Sequence, residues 1–346
     1  MDKTFWIRSL DFCSDNRKSK IQNLKWAGFL AILVLLAGCA GMAEAQQGKV
    51  YRIGIIHQGG PFSAMVDGLR DGLRELGYEE GKTIFLEIRD AKGDLRSVEQ
   101  AAKAFEREKV NLIYAVTMSV VTTVKESTGN VPIVFSVATN PVTSGLVQSF
   151  VKPGGRLTGV YYLTTDLTAK RLEILKEMLP KLSRVVTFYN PNNPAPREAA
   201  KLGREAARQM KIQFIERHAV SVEELRQGLR ALKAKEADAF FYISDGIVAS
   251  QAQLVIDTAA VIKLPTMFQE QSIVAKGGLA SYGQNYRDVG LLSAKYVQRV
   301  LNGTHPRDLR VETVDSVELA INLKTAKALG LTIPPEVLAR ADKVIR

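Results

Sequence analysis

The residues of this sequence whose types and spacing could do chemistry are polar loop residues. Amides, hydroxyls and glycines follow short apolar, strand-like segments at six places. In a sheet of parallel strands such loops meet at the carboxyl edge, where they hold small polar ligands by hydrogen bonds and where helix N-termini accept anionic groups. The predicted ligand-binding residues are Gln58, Gly59, Thr117, Ser119, Ser136, Asn140, Asn190, Asp245, Gln269 and Tyr282.

Several of these residues also have a purely structural interpretation. Asp245, between Ser244 and Gly246, is either a counter-ion for a ligand ammonium group or the N-cap of the next helix. Thr117 and Ser119 either contact the ligand or cap the following helix, and Tyr282 either walls the cleft or packs in the core. His57, directly after the first predicted strand, is interpreted as a hydrogen-bonded structural residue.

Catalytic and metal-binding functions find no support in the sequence. The histidines are His57, His218 and His305, and none has the spacing of a metal site. Neither a G-x-S-x-G nor a G-x-G-x-x-G motif occurs. We therefore predict a chain that is not an enzyme and that uses no cofactor.

Hydrophobic periodicity predicts alternating strands and helices. Residues 50–56 form an apolar, β-branched run that ends in a Gly-Gly-Pro turn, and an apolar stripe from Phe62 to Leu76 then has helical spacing. Strands at 83–89, 111–115 and 132–136 continue the pattern, with helices between them. Such alternation is typical of a mostly parallel sheet with helices on both faces.

The same unit occurs twice. The segment that starts at Lys82 matches the one that starts at Lys211, so that Tyr114 corresponds to Tyr242. Further on, the Pro132 strand corresponds to the Pro265 strand. This duplication predicts an α/β protein with two lobes, each a doubly wound sheet.

Glycine-rich or extended segments at 153–159, 277–283 and 309–323 are the predicted crossovers between the lobes. They place residues 50–157 and 283–312 in lobe 1, and residues 158–282 and 313–346 in lobe 2. Closing helices are expected at 325–329 and 336–344. Three crossovers form a hinge that bends without unfolding either lobe.

The first 45 residues have the pattern of a secretory signal peptide. Basic residues between Arg17 and Lys25 precede the uncharged segment 26–38, which is too short to span a bilayer. Two cleavage sites compete. Residues 36–39 (Leu-Ala-Gly-Cys) match a lipobox, in which Cys39 would be acylated, and residues 43–45 (Ala-Glu-Ala) suit ordinary signal peptidase. Both alternatives predict export.

The net charge of +11 belongs mainly to the body of the chain. Residues 1–45 hold six basic and four acidic residues, so their removal leaves +9. These charges lie on predicted surface helices without interleaved stacking aromatics. We therefore predict no nucleic-acid partner, and membrane contact only through a lipid anchor or a membrane partner.

With these residues in view, the sequence resembles the ABC transporter substrate-binding protein family of the type I periplasmic-binding fold, in particular its tryptophan- and amino-acid-binding branch. The matching segments cover most of the mature chain: GLRELGYEEGKTI at 72–84, NPVTSGLVQSFVKPGGRLTGV at 140–160, AKRLEILKEMLP at 169–180, GGLASYG at 277–283 and ELAINLKTAKALGLTIPPEVLARAD at 318–342.

The resemblance implies an extracytoplasmic receptor, in the periplasm or on the outer face of the cytoplasmic membrane. Such a receptor closes its lobes on a small metabolite and delivers it to an ABC permease driven by a cytoplasmic ATPase. The alternative is an extracytoplasmic sensing module that reports the ligand to a signalling partner. Asn140, where the family usually has Asp, and Ala195-Pro196, where the amino-acid branch has Asn-Ser, depart from the pattern and leave the ligand open between an amino acid and a related compound.

Overall fold

The computed structural model describes residues 50–314 and 316–346, and the predicted signal peptide and Cys39 lie outside these residues. The first sheet is entirely parallel, in the order β2-β1-β3-β4-β5-β11. Its strands are β1 (Tyr51–His57), β2 (Ile84–Asp90), β3 (Leu112–Val116), β4 (Ile133–Val137), β5 (Leu157–Tyr162) and β11 (Glu312–Val314).

The second sheet repeats this order as β7-β6-β8-β9-β10-β12 and adds β13 at its edge. Only the pairing of β10 with β12 is antiparallel in this sheet. Its strands are β6 (Arg184–Tyr189), β7 (Gln213–His218), β8 (Ala239–Phe241), β9 (Thr266–Phe268), β10 (Ala280–Gly283), β12 (Glu318–Asn322) and β13 (Lys343–Ile345). The two mostly parallel sheets confirm the predicted fold class.

Helices cover the faces of both sheets. In chain order they are α1 (Ser63–Glu75), α2 (Leu95–Arg107), α3 (Met118–Ser127), α4 (Thr168–Met178), α5 (Pro194–Gln209), α6 (Val222–Ala231), α7 (Gly246–Ser250), α8 (Ala252–Val261), α9 (Gln271–Ala275), α10 (Tyr286–Leu301), α11 (Leu323–Ala328) and α12 (Pro335–Leu338). The apolar stripe that predicted α1 is the face that α1 buries.

Helices α1 and α10 lie unusually close because glycines line their contact. A Cβ atom on Gly68 of α1 would lie 2.0 Å from the carbonyl oxygen of Arg287, and one on Gly290 of α10 would lie 2.1 Å from that of Met65. The late helix α10 therefore completes the core of the first lobe.

The first crossover lies later than predicted. Residues 157–162 form β5, which pairs with β4 in the first sheet, so the chain leaves lobe 1 after Tyr162 and not at 157–158. The prediction took the glycines of this segment as signs of a linker. A Cβ atom on Gly159 would lie 2.0 Å from the carbonyl oxygen of Phe135, so this glycine permits close packing of two strands and does not mark a linker.

The chain changes lobes at two further places. The glycine-rich segment 277–283 ends in β10, and the chain crosses between Gly283 and Tyr286. It crosses back between Val314 and Glu318. The expected helix at 336–344 was wrong after its first three residues, because α12 ends at Leu338 and residues 343–345 pair with β12 as β13.

Apolar packing continues from one lobe into the other. One buried cluster contains Tyr162 of β5 and Tyr286 of α10 together with Tyr242 and Phe268 from the second lobe. No helix among residues 50–314 and 316–346 is both long and apolar enough to cross a membrane.

Candidate ligand-binding cleft

The carboxyl ends of both sheets border one cleft between the lobes. A cavity of about 450 Å³ is lined by Gln58 and Ser119 from the first lobe and by Asn190 and Asp245 from the second. The sequence predicted all four residues, and the structure brings them together. The cleft therefore offers amide, hydroxyl and carboxylate groups from two independently placed sheets.

A second section of the cleft is larger and more open. It encloses about 1270 Å³, shares Ser119 and Asn190 with the first section, and extends past Asn140 and Thr165. The side chain of Asn140 accepts hydrogen bonds from the backbone N–H groups of Val142 (2.9 Å) and Thr143 (3.2 Å). Asn140 thus shapes its own turn at the edge of the cleft.

Gln58 is the most deeply buried amide of the smaller section. Its Nε2 donates to the Ser119 hydroxyl at 3.0 Å, whereas its Oε1 has no protein partner among the described residues. The side chain is 2% exposed. A buried acceptor that lacks a donor is costly, so this oxygen is suited to a hydrogen bond from a ligand.

Thr117 holds a strained backbone at the start of α3. Its φ of 84° and ψ of 151° fall in a region that only glycine adopts readily. Its hydroxyl lies 3.5 Å from that of Ser119, and its side chain does not cap the helix. The capping interpretation of Thr117 is therefore wrong, and the strained backbone positions Ser119 beside Gln58.

Asp245 caps helix α7. One carboxylate oxygen accepts from the backbone N–H of Val248 at 3.0 Å and the other from that of Asn190 at 2.9 Å. Burial raises the pKa of this carboxyl group, and the backbone donors oppose that effect. The structure thus shows the capping role, and contact with a ligand ammonium group stays a prediction.

Other predicted site residues point away from the cavities. The hydroxyl of Ser136 is fully buried between those of Tyr114 (2.8 Å) and Ser293 (2.9 Å), in the core beneath α10. Tyr282 packs against the core of the second lobe. The sequence missed this because alternate residues of a strand end face opposite sides of the sheet.

The remaining predicted residues support the edges of the cleft. Gly59 has φ of 80° and donates its N–H to Nδ1 of His57 at 3.0 Å. Burial lowers the pKa of His57, which fits the structural role predicted for it. The Nε2 of Gln269 donates to the hydroxyl of Tyr286, so Gln269 belongs to the base of the cleft beside the crossovers.

Sequence reasoning passed over two buried charged residues near the cleft. Arg171 on α4 is fully buried, and Glu270, which caps α9, is 2% exposed. A signal for Arg171 was available, because it occupies a position of the buried stripe that also holds Thr168 and Leu175. Glu270 was visible directly after the predicted residue Gln269.

The chemistry of the cleft is that of recognition by hydrogen bonds. Residues 50–314 and 316–346 contain no group of three or more His, Cys, Asp or Glu side chains that could hold a metal ion. The smaller section is within the size range of small-molecule sites. Its wall combines neutral polar side chains with apolar ones such as Val222 and Ile247. Four charged residues also line it: Asp94, Arg96, Glu223 and Asp245.

The chain is similar to a known protein family and to a curated relative. Residues 53–345 match the model of the family described as ABC transporter substrate binding protein. A curated relative, the tyrosine-binding protein of Clostridioides difficile (strain R20291), is 29% identical over 265 residues, which are 76% of each chain.

Solved structures show the same fold. A conserved domain protein from Vibrio cholerae is 30% identical and superposes with a TM-score of 0.79, covering 86% of this chain and 100% of its own. The ABC domain of Streptococcus pneumoniae in complex with L-Trp is 23% identical, with a TM-score of 0.77 and the same coverage.

Proposed function

Since the chain belongs to the family of ABC transporter substrate-binding proteins, we propose that it is the extracytoplasmic receptor of an ABC import system. Its ligand is a small polar metabolite, an amino acid or a related compound. Proteins of this family bind solutes and are not enzymes, which agrees with the prediction of a chain without catalytic activity. The tyrosine-binding relative supports an amino-acid-like ligand.

The observation that carries this proposal is the cavity of about 450 Å³ whose wall comes from both lobes. A ligand that contacts Gln58 on one side and Asn190 on the other binds the closed arrangement more tightly than the open one. Only such differential affinity can shift the population toward closure. The three crossovers supply the hinge for that movement.

Delivery to a permease and its cytoplasmic ATPase completes the proposed function. The predicted signal peptide places the mature protein in the periplasm or on the outer face of the cytoplasmic membrane. Acylation of Cys39 would anchor it there, whereas cleavage after Ala45 would release it. In both forms the bound ligand is presented to the transporter from outside the cell membrane.

Calorimetric titration and thermal unfolding of the purified protein against amino acids and small polar metabolites test the proposal. A ligand at 100 times its Kd stabilises the fold by about 2.7 kcal/mol. For a chain of this length that raises Tm by roughly 5 °C. If no soluble metabolite changes Tm or the radius of gyration, the receptor function is refuted.

A further inference from the structure

Arg171 is a fully buried cation on α4, and it bonds to Thr164, whose neighbour Thr165 lines the larger section of the cleft. Its guanidinium donates to the carbonyl oxygen of Thr164 at 2.9 Å and to the hydroxyl of Thr168 at 3.1 Å. Its Nε–H has no protein partner among the described residues. Because a guanidinium carries five N–H donors, these two bonds leave most of its capacity unused.

Among residues 50–314 and 316–346, no carboxylate forms an ion pair with Arg171. The ionisable groups that act on its pKa most strongly, after burial itself, are Tyr286 and Tyr242, and no carboxylate is among them. Burial lowers its pKa to about 10, so the group stays cationic at neutral pH. Asp245 acts on Tyr242 and Glu270 acts on Tyr286, and the carboxyl group of each is engaged as a helix cap.

Further unpartnered polar atoms accompany the guanidinium. Thr164, which holds Arg171, donates its hydroxyl to Oε1 of Gln284 at 3.4 Å, while Nε2 of Gln284 has no protein partner among the described residues. Oε1 of Gln269 and Oγ1 of Thr165 likewise have none, and both side chains are at least nine-tenths buried. Native proteins rarely bury several such atoms together without a bound group to satisfy them.

This compartment adjoins the cleft and is divided between the lobes. Thr165, adjacent in sequence to Thr164, lines the larger cavity. Tyr162 and Tyr286 come from the first lobe, and Tyr242 comes from the second. Because these tyrosines come from different lobes, the proposed hinge movement would separate them and would give a solute access to Arg171.

A role limited to holding the Thr164 carbonyl does not account for a buried charge. A neutral amide can donate that bond, whereas an unpaired buried guanidinium carries a large desolvation cost. A planar carboxylate satisfies two adjacent guanidinium N–H groups at once and neutralises the charge.

We propose that Arg171 forms the subsite for a carboxylate group of the transported ligand. This inference rests on the proposed receptor function and narrows its ligand class to carboxylates, with the polar cleft holding the rest of the molecule. Nε2 of Gln284 can donate a further hydrogen bond to that carboxylate, and Oε1 of Gln269 can accept one from a donor elsewhere on the ligand.

The test compares acids with their amides, which keep the size and the ammonium group but lose the negative charge. Titrations use L-tyrosine, L-leucine and L-glutamine, each paired with its α-carboxamide, on the wild-type protein at pH 7. Breaking one side of a buried charge pair weakens binding by about 30-fold or more. We therefore expect the amide of the best-bound pair to bind at least 30-fold more weakly than the acid.

Variants then assign this preference to Arg171. In Arg171→Gln the acid and the amide are expected to bind within about threefold of each other, and in Arg171→Lys part of the preference for the acid is retained. Lys170→Gln is the matched control, because it removes one cation from the same helix at a site 43% exposed. Its acid-to-amide ratio is expected to equal that of the wild type.

The outcomes separate the subsite from the receptor function. Equal binding of acid and amide by the wild-type protein, or an unchanged ratio in Arg171→Gln, overturns the carboxylate subsite and leaves the receptor intact. Absence of binding by every solute, in this panel and in the wider metabolite panel, overturns both. Since the wild-type ratio needs no variant, poor folding of Arg171→Gln does not remove the test.

Discussion

Gly60 lies where the two lobes touch, and its replacement by alanine is expected to block closure. The residue has φ of 60°, and a Cβ atom there would lie 2.1 Å from the carbonyl oxygen of Ala249 in α7 of the opposite lobe. Because that oxygen is part of the backbone, the lobes must move apart by at least about 1 Å before the contact is tolerable.

The size of the effect follows from two separate costs. Left-handed backbone costs an alanine about 1 kcal/mol wherever it occurs. Overpacking at the contact adds about 1–3 kcal/mol, and only in the closed arrangement. The second cost weakens ligand binding by roughly 5- to 150-fold, since each 1.4 kcal/mol is a factor of ten.

Gly155→Ala is the matched control. Gly155 has φ of 74°, and a Cβ atom on it would have no neighbour within 4 Å. We expect both variants to lose similar amounts of unfolding free energy in urea, while only Gly60→Ala loses affinity in titration calorimetry. Small-angle scattering with saturating ligand is expected to show a larger radius of gyration for Gly60→Ala. Equal affinities of the two variants would refute the interlobe clash.

Three further predictions concern stability. Thr117→Gly is expected to raise the unfolding free energy by about 1 kcal/mol in urea denaturation. The reason is that relief of roughly 1–3 kcal/mol of backbone strain exceeds the entropic cost of glycine. A loss of stability would contradict the strain at Thr117. Burial raises the pKa of Glu270 from 4.5 to about 7, so the folded protein holds this proton more tightly than the unfolded chain does. The free energy of unfolding is therefore expected to fall as the pH rises from 4.5 to 7, by at most about 3 kcal/mol. Glu270→Gln is expected to flatten that fall when urea midpoints at pH 5 and pH 7 are compared, and an unchanged pH dependence would argue against a raised pKa. Ser136→Ala is expected to lower the unfolding free energy by about 1–3 kcal/mol, because the hydroxyls of Tyr114 and Ser293 lose their shared partner. Ligand affinity is expected to stay unchanged, and a loss of affinity would show that Ser136 contacts the ligand.

The alternation of strands and helices, and the duplication, could be predicted from the sequence. The reason is that the spacing of apolar residues follows from which face of a strand or helix is buried. The prediction that loops after the strands converge was equally general, and it placed Gln58, Ser119, Asn190 and Asp245 in one cleft. The prediction failed for residues whose side-chain direction decides between the cleft and the core. Ser136 and Tyr282 belong to the right segments but face the core, and the pleat of a strand end is decided by tertiary packing.

Arg171 illustrates a different limit. In the sequence it is one basic residue among many on a charged helix, and its burial depends on two crossovers that are distant in sequence from each other. The first of those crossovers was itself misplaced, because the glycine at 159 serves strand packing. In a sequence, a glycine that permits two backbones to approach closely looks the same as a glycine in a flexible linker. A structure is therefore needed to distinguish the two.

The partnership of α1 with α10 has a consequence for biosynthesis. The apolar face of α1 is complete at Glu75, but α10 begins at Tyr286, about 210 residues later. At roughly 5–20 residues per second, some 10–40 s of translation separate the two helices. During that interval the glycine-lined face of α1, at Gly68 and Gly72, lacks the helix that it contacts in the folded protein. The first lobe can therefore be completed only after the chain that forms α10, which follows most of the second lobe in sequence, has been synthesised.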